Sequence, residues 1–223
     1  MNMRNVNIVA RYESKLLRRD IVFLGFVVIA LVGISLWQMI KQGRVNVFWY
    51  KVALPSSFPF FSMYYYNLVQ VLIALFVCME VVYRERKKDA MEVFLCRPFR
   101  NSEYCIGRFL GIFRMFLFVN ICVLLVCMYI NLWVVGAPFN VWIYVFYLFT
   151  LSIPTLIFVL GCALSISAMV KNRPLSVLVL GLFGLGVYFY LDEWQFGAFD
   201  FWGRNLPNMF SDVVGHPDLK GYL

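Results

Sequence analysis

The sequence predicts an all-α integral membrane protein, and three observations lead to that fold class. Hydrophobic residues make up 62% of the 223 residues and charged residues only 14%, whereas charged residues make up about a quarter of an ordinary soluble domain. Long runs carry no charge at all, and the basic residues and tryptophans collect at opposite ends of those runs. We therefore expect a single transmembrane domain over residues 1–223.

The uncharged runs define about five membrane-spanning helices. A span needs about 20 apolar residues, and residues 21–40 and 58–79 each supply one. The run over residues 115–170 is long enough for two, which the Gly-Ala-Pro-Phe-Asn segment at 136–140 divides. Residues 174–191 supply a fifth and short span.

The distribution of charge predicts which side of the membrane each loop occupies. Most Lys and Arg residues precede span 1, lie between spans 2 and 3, or lie between spans 4 and 5. The positive-inside rule makes that side cytoplasmic, and all six tryptophans lie at the other ends of the spans, as an outer aromatic belt requires. The N-terminus is thus expected inside and residues 192–223 outside. The net charge of +8 then reflects topology and contact with anionic lipid, and no nucleic-acid partner is expected.

Residues 5–19 form a predicted amphipathic helix that lies at the inner membrane surface. The helical repeat gives it a basic stripe of Arg4, Arg11, Lys15 and Arg18, and an opposite apolar face of Val6, Val9, Ala10, Leu16 and Leu17. A basic amphipathic helix of this kind lies in the headgroup plane of a bilayer. Glu13 interrupts the apolar face, and three interpretations stay open: it pairs with an arginine of residues 84–108, contacts a partner, or reaches water from a shallow position.

Span 4 contains a predicted break at Pro154. Proline removes a backbone hydrogen bond and kinks a helix, and the hydroxyls of Ser152 and Thr155 lie close enough in sequence to cover the freed carbonyl. Further along the same span, small residues form a face suited to close helix packing. These are Gly161, Ala163, Ser165 and Ser167.

The loop between spans 2 and 3, residues 84–108, is the strongest indication of function. Its centre predicts a short helix that Asp89 caps, with Ala90, Met91, Phe94 and Leu95 on one face, Glu92 on the other, and Pro98 after its end. The single apolar face favours the interpretation that this helix docks into a groove on a soluble partner. The alternative is a plain basic loop that fixes topology and binds anionic lipid.

This loop resembles the segment between helices 2 and 3 in the permease subunits of type-2 ABC transporters, the six-helix exporter class. That segment is the family's coupling helix, which sits on the ATPase subunit. The matching positions are Glu85, Glu92, Leu95, Pro98, Arg100, Glu103, Gly107 and Arg108. Arg108 stands where the family usually has lysine, Asp89-Ala90 where it often has Gly-Thr, and five of its six helices are recognisable here.

The resemblance implies a bacterial inner-membrane exporter permease that pairs with a second permease, identical or not, and with ABC ATPase subunits. The implied ATPase-facing residues are Glu85, Asp89, Met91, Glu92, Phe94, Leu95, Pro98, Arg100 and Glu103, and those of the interfacial helix are Glu13, Lys15 and Arg18. The apolar spans suggest a hydrophobic or amphipathic cargo.

The chain itself is not expected to be an enzyme. It has no GxxxxGK[ST] motif, so ATP and Mg²⁺ would bind to the partner subunit. No catalytic, cofactor-binding or metal-ligating residues are predicted, since the sequence has one histidine and no HExxH or GxSxG motif. A different class of function, a membrane scaffold that recruits a cytoplasmic partner through the basic loop without transport, stays open as the alternative.

Overall fold

Every regular element in the described part of the chain is a helix. The computed structural model describes residues 2–44, 57–85, 100–133, 139–170, 172, 175–179 and 181–182. The helices are α1 (Met3–Leu17), α2 (Ile21–Arg44), α3 (Ser57–Glu85), α4 (Asn101–Trp133), α5 (Val141–Tyr147) and α6 (Ile153–Met169), with a π-turn (Leu148–Ser152) that joins α5 to α6. The all-α prediction is therefore confirmed for this part.

Three of these helical stretches are long and apolar enough to cross a bilayer. They lie in α3, in α4, and in the continuous run of α5, π-turn and α6; α1 and α2 add a fourth if that bent pair counts as one span. The predicted division of residues 115–170 is confirmed, because α4 ends at Trp133 and α5 begins at Val141. The predicted fifth span, 174–191, lies mostly outside the described residues, although residues 175–179 are helical.

A sharp bend separates α1 from α2, and side-chain caps start both helices. The side chain of Asn2 accepts a hydrogen bond from the backbone N–H of Arg4 at 3.1 Å, and that of Asp20 accepts one from Val22 at 2.9 Å. These caps satisfy N–H groups that have no partner within the first turn. The axes of α1 and α2 differ by 72°. The amphipathic helix therefore exists, at Met3–Leu17, which begins and ends two residues before the predicted range.

α4 is longer than a bilayer requires. Its 33 residues span about 50 Å at 1.5 Å per residue, against about 30 Å of hydrocarbon. The charged residues Glu103, Arg108 and Arg114 all lie in the first fourteen positions, before the uncharged stretch begins at Met115. The first part of α4 is thus chemically distinct from the part that suits the bilayer.

The predicted break in span 4 takes the form of a π-turn that ends two residues before Pro154. In this turn the backbone widens from the α-helical to the π-helical hydrogen-bond spacing, a local change that accommodates a helix irregularity within a span. Thr155 Oγ1 donates to the carbonyl of Leu151 at 2.6 Å, whereas the carbonyl that Pro154 leaves without its N–H donor is that of Thr150. The Ser152 hydroxyl instead contacts another helix, as described below.

The described chain forms two compact units. The first unit comprises Met1–Phe26, Gln70–Phe118 and Leu156–Tyr188. An aromatic cluster lies in it: the rings of Phe23 and Phe116 meet edge to face with centroids 5.5 Å apart, and Phe26 lies 5.9 Å from Phe116. All three side chains are at most 3% exposed, so this cluster holds the start of α2 against α4.

The second unit comprises Val27–Val69, Val119–Thr155 and Phe189–Leu223. Hydrogen bonds between buried side chains join its helices, as is common where helices pack in a bilayer. Ser152 Oγ lies 3.3 Å from Oδ1 of Asn67, and Asn131 Nδ2 donates to the hydroxyl of Tyr144 at 2.8 Å. Each of these four side chains is at most 2% exposed.

The aromatic cluster gives a first test of the first unit. We expect Phe116→Ala to lower the stability of the detergent-solubilised protein by about 3–5 kcal/mol, because the ring is 0% exposed and its removal leaves a cavity. Phe118→Ala is the matched control, since that ring is 61% exposed two positions along the same helix. Thermal unfolding followed by size-exclusion chromatography measures both; equal losses would contradict the packing described here.

Candidate functional site

The residues predicted to face a partner divide into those the structure describes and those it does not. Asp89, Met91, Glu92, Phe94, Leu95 and Pro98 lie outside the described residues, and so does the side chain of Glu85. Two positions at the end of the loop are described: Arg100 is exposed, and Glu103 is 4% exposed. The candidate site is therefore described from the two helices that flank the loop, α3 before it and α4 after it.

Glu103 ties the first turn of α4 to α1. Its Oε1 accepts a hydrogen bond from the backbone N–H of Asn2 at 2.5 Å, and its Oε2 accepts one from Nδ2 of Asn5 at 3.1 Å. A carboxylate in the first turn of a helix also interacts favourably with the helix dipole. The carboxylate predicted to face an ATPase thus has both oxygens bonded to α1.

One turn further along α4, Gly107 brings the two helices close together. A Cβ atom at this position would lie 2.7 Å from the Cβ of Val9 and 2.8 Å from the carbonyl oxygen of Val6. Real Cβ atoms essentially never approach other atoms so closely, and the Val6 oxygen belongs to the backbone. Glycine at 107 is thus required by the close approach of α1.

Gly111 repeats the same arrangement one turn later. Its Cβ would lie 2.7 Å from the Cβ of Glu13 and 2.8 Å from the carbonyl oxygen of Ala10. Ser14 Oγ lies 3.0 Å from the carbonyl oxygen of Gly111 and 2.8 Å from that of Ala10, so its hydroxyl bridges the two helices.

The contacts advance four residues on α1 for every four on α4. Their order shows that both helices run in the same direction along three turns. We call this contact the α1–α4 joint; it consists of Glu103, Gly107 and Gly111 on α4 and of Asn2, Asn5, Val6, Val9, Ala10, Glu13 and Ser14 on α1.

The joint changes the interpretation of the amphipathic pattern. Four of the five residues of the predicted apolar face, Val6, Val9, Ala10 and Leu17, are at most 5% exposed, and Leu16 is half-buried. Val6, Val9 and Ala10 lie in the joint, so α4 covers this part of the face. Glu13 is 2% exposed within this contact, so of its three interpretations the one in which the side chain reaches water is wrong. Lys15 and Arg18 are exposed, as the basic stripe predicted.

The other end of the loop is also held. Tyr83, near the end of α3, donates its hydroxyl to the carbonyl of Val170 at 3.0 Å. The last carbonyls of a helix lack partners within that helix, and Val170 directly follows α6. The tyrosine therefore ties the C-terminal ends of α3 and α6 together.

Arg108 lies between the two joint glycines in sequence and is only 8% exposed. Its guanidinium carbon lies 5.9 Å from the centroid of the Tyr104 ring, within the range of a cation–π contact. This is the position where the resemblance places a basic residue, and the structure places it inside the first unit.

Sequence reasoning missed most of the joint. Gly107 and Gly111 form a Gly-x-x-x-Gly pattern, which is a recognised signal of close helix packing and would have indicated the contact surface of α4. No comparable signal marks Asn2, Asn5 or Tyr83. Among the described residues, no group of three His, Cys, Asp or Glu side chains is placed to hold a metal ion.

Comparison with known proteins assigns no family: no family model matches the chain, and no curated protein sequence is significantly similar to it.

The joint glycines yield a second test. We expect Gly107→Ala to destabilise the protein by about 1–3 kcal/mol, as overpacking does, because the new methyl group meets the Val6 carbonyl oxygen. Gly161→Ala is the matched control: nothing lies within 4 Å of its Cβ position, and alanine favours a helix by up to about 1 kcal/mol over glycine. Amide hydrogen exchange in α1 that is faster in Gly107→Ala but not in Gly161→Ala would show that the lost stability comes from the α1–α4 contact. Equal exchange in both variants would contradict the close approach.

Proposed function

We propose that this chain is the membrane-spanning permease subunit of an ABC transporter, which exports a hydrophobic or amphipathic substrate. A separate ATPase subunit would bind ATP and Mg²⁺ and hydrolyse the nucleotide. The single observation that most supports this proposal is the α1–α4 joint, which begins at Glu103, within the downstream end of the loop over residues 84–108. A loop that merely fixed topology would need no such attachment to a second helix.

The attachments at the two ends suggest how force would travel from the loop. Tyr83 links its upstream end to the end of α6, and Glu103 links its downstream end to α1. A push on the loop helix would therefore move α1 and α4 as one body, since their backbones are in contact at Gly107 and Gly111. Packed elements of this kind shift as rigid pieces and do not deform smoothly.

In this proposal the loop residues face the ATPase and Glu103 transmits their movement. The ATPase-facing set is Glu85, Asp89, Met91, Glu92, Phe94, Leu95, Pro98 and Arg100. The protein would work in the bacterial inner membrane beside a second permease, identical or different, with its N-terminus in the cytoplasm. The basic residues of the loop support that orientation.

Affinity purification of the detergent-solubilised protein, followed by mass spectrometry, tests the partner. We expect an ATPase with a Walker A motif to co-purify with the wild type and to be lost on Phe94→Asp or Glu92→Arg, because a charge would enter or be reversed in the proposed interface. Phe94→Leu keeps an apolar side chain and should retain the ATPase.

If no ATPase co-purifies, or if Phe94→Asp captures as much ATPase as the wild type, the transporter proposal fails. Capture of a cytoplasmic protein that lacks a Walker A motif, through the same loop, would favour the scaffold.

Glu103→Gln tests transmission separately from docking. Glutamine keeps the shape of the side chain but has a single acceptor oxygen, so it can replace only one of the two hydrogen bonds to α1. The bond that remains is weaker, because a charged acceptor makes the stronger bond. We expect the variant to capture the ATPase normally while the ATP hydrolysis rate of the reconstituted complex falls several-fold. Ser102→Ala, at an exposed position one residue earlier, is the control. An unchanged hydrolysis rate with Glu103→Gln would show that the joint plays no part in coupling.

A further inference from the structure

The face of α1 that points away from α4 has an unusual composition. Two large apolar side chains lie on it in the open: Ile8 is 50% exposed and Tyr12 57%. Arg4, Arg11 and Lys15 are exposed as well. In an α-helix, positions 4, 8, 11, 12 and 15 fall on one side, so basic and apolar groups alternate along a single stripe. We call this stripe the outer face of α1.

The outer face carries positive charge without any compensating acid. Glu13 is the one acidic residue in α1, and it is 2% exposed inside the α1–α4 joint. Beyond the helix, Arg18 and Arg19 are exposed too. The next acid, Asp20, caps α2 through the N–H of Val22. From Arg4 to Arg19 every exposed charged side chain is thus basic, and apolar side chains are exposed among them.

We propose that the outer face of α1 binds the headgroups of acidic phospholipids, with Arg4, Arg11 and Lys15 on the phosphates and Ile8 and Tyr12 among the upper acyl carbons. A cluster of basic residues beside a membrane span attracts anionic lipid, and exposed apolar and aromatic side chains fit the interfacial layer. The face that the amphipathic pattern assigned to lipid is taken by α4, so the bilayer meets the opposite, basic side.

The connection to α2 favours a lipid surface over an acidic protein. α1 ends at Leu17 and α2 begins at Ile21, so the outer face lies within a few residues of an apolar helix. The first two side chains of that helix, Ile21 and Val22, are 84% and 66% exposed. If α2 spans the bilayer, the covalent link alone keeps acidic headgroups beside α1. This inference is independent of any ATPase partner.

Native mass spectrometry of the full-length chain, released from nanodiscs of mixed phosphatidylglycerol and phosphatidylcholine, tests the proposal. We expect the wild type to retain phosphatidylglycerol in preference to phosphatidylcholine. In the triple variant R4Q/R11Q/K15Q, the ratio of retained phosphatidylglycerol to phosphatidylcholine should fall at least about tenfold. The reason is that each basic residue near an acidic surface contributes roughly fivefold in affinity. The charge-conserving variant R4K/R11K/K15R should keep it.

A second variant separates the apolar contribution from charge. I8S/Y12S leaves every charge in place and truncates two side chains that are at least half exposed, so folding should be kept. We expect it to retain fewer lipids of both kinds.

The proposal is overturned if the wild type shows no preference for phosphatidylglycerol, or if R4Q/R11Q/K15Q retains the wild-type preference. It is also overturned if that variant keeps its lipids but loses a co-purifying acidic protein, because the outer face would then be a protein interface.

Discussion

The backbone contact between α1 and α4 at Gly107 and Gly111 is the constraint on which the first unit depends. Two helices approach this closely only where one of them has no Cβ atoms in the contact, because a methyl group at either glycine would collide with a carbonyl oxygen of α1. The close approach brings Ser14 to a carbonyl of α4 and Asn2 and Asn5 to Glu103. Each hydrogen bond in the joint therefore relies on the glycines beside it.

The second unit is built on a different principle. Its helices are joined by hydrogen bonds between buried amides and hydroxyls, of which Asn67 with Ser152 and Asn131 with Tyr144 are the clearest. An unpaired polar group is costly where water is absent, so such pairs favour one particular alignment of the helices. The π-turn widens the backbone at Ser152, one member of these pairs, and the helix irregularity thus coincides with a specific contact between helices.

The amphipathic helix shows how far prediction reached. The 3.6-residue period identified its two faces correctly, and the four most buried residues of α1, apart from Glu13, belong to the predicted apolar face. The period does not say what covers that face, because a bilayer and a neighbouring helix are both apolar surroundings. Glu103 illustrates the same limit: the local motif singled it out, but its partners lie about a hundred positions away in sequence.

By itself, the sequence determined the all-helical class, the long apolar helices at the first four predicted spans and the break before Pro154. These follow from local hydrophobicity and from a missing backbone N–H. The tertiary structure alone decided that α1 packs on α4, that Glu103 faces α1, and that Tyr83 caps the end of α6. Those outcomes depend on which helices meet and in what register. Hydrophobic periodicity carries no information about that register, because any apolar face satisfies any other until glycines and hydrogen bonds select one partner.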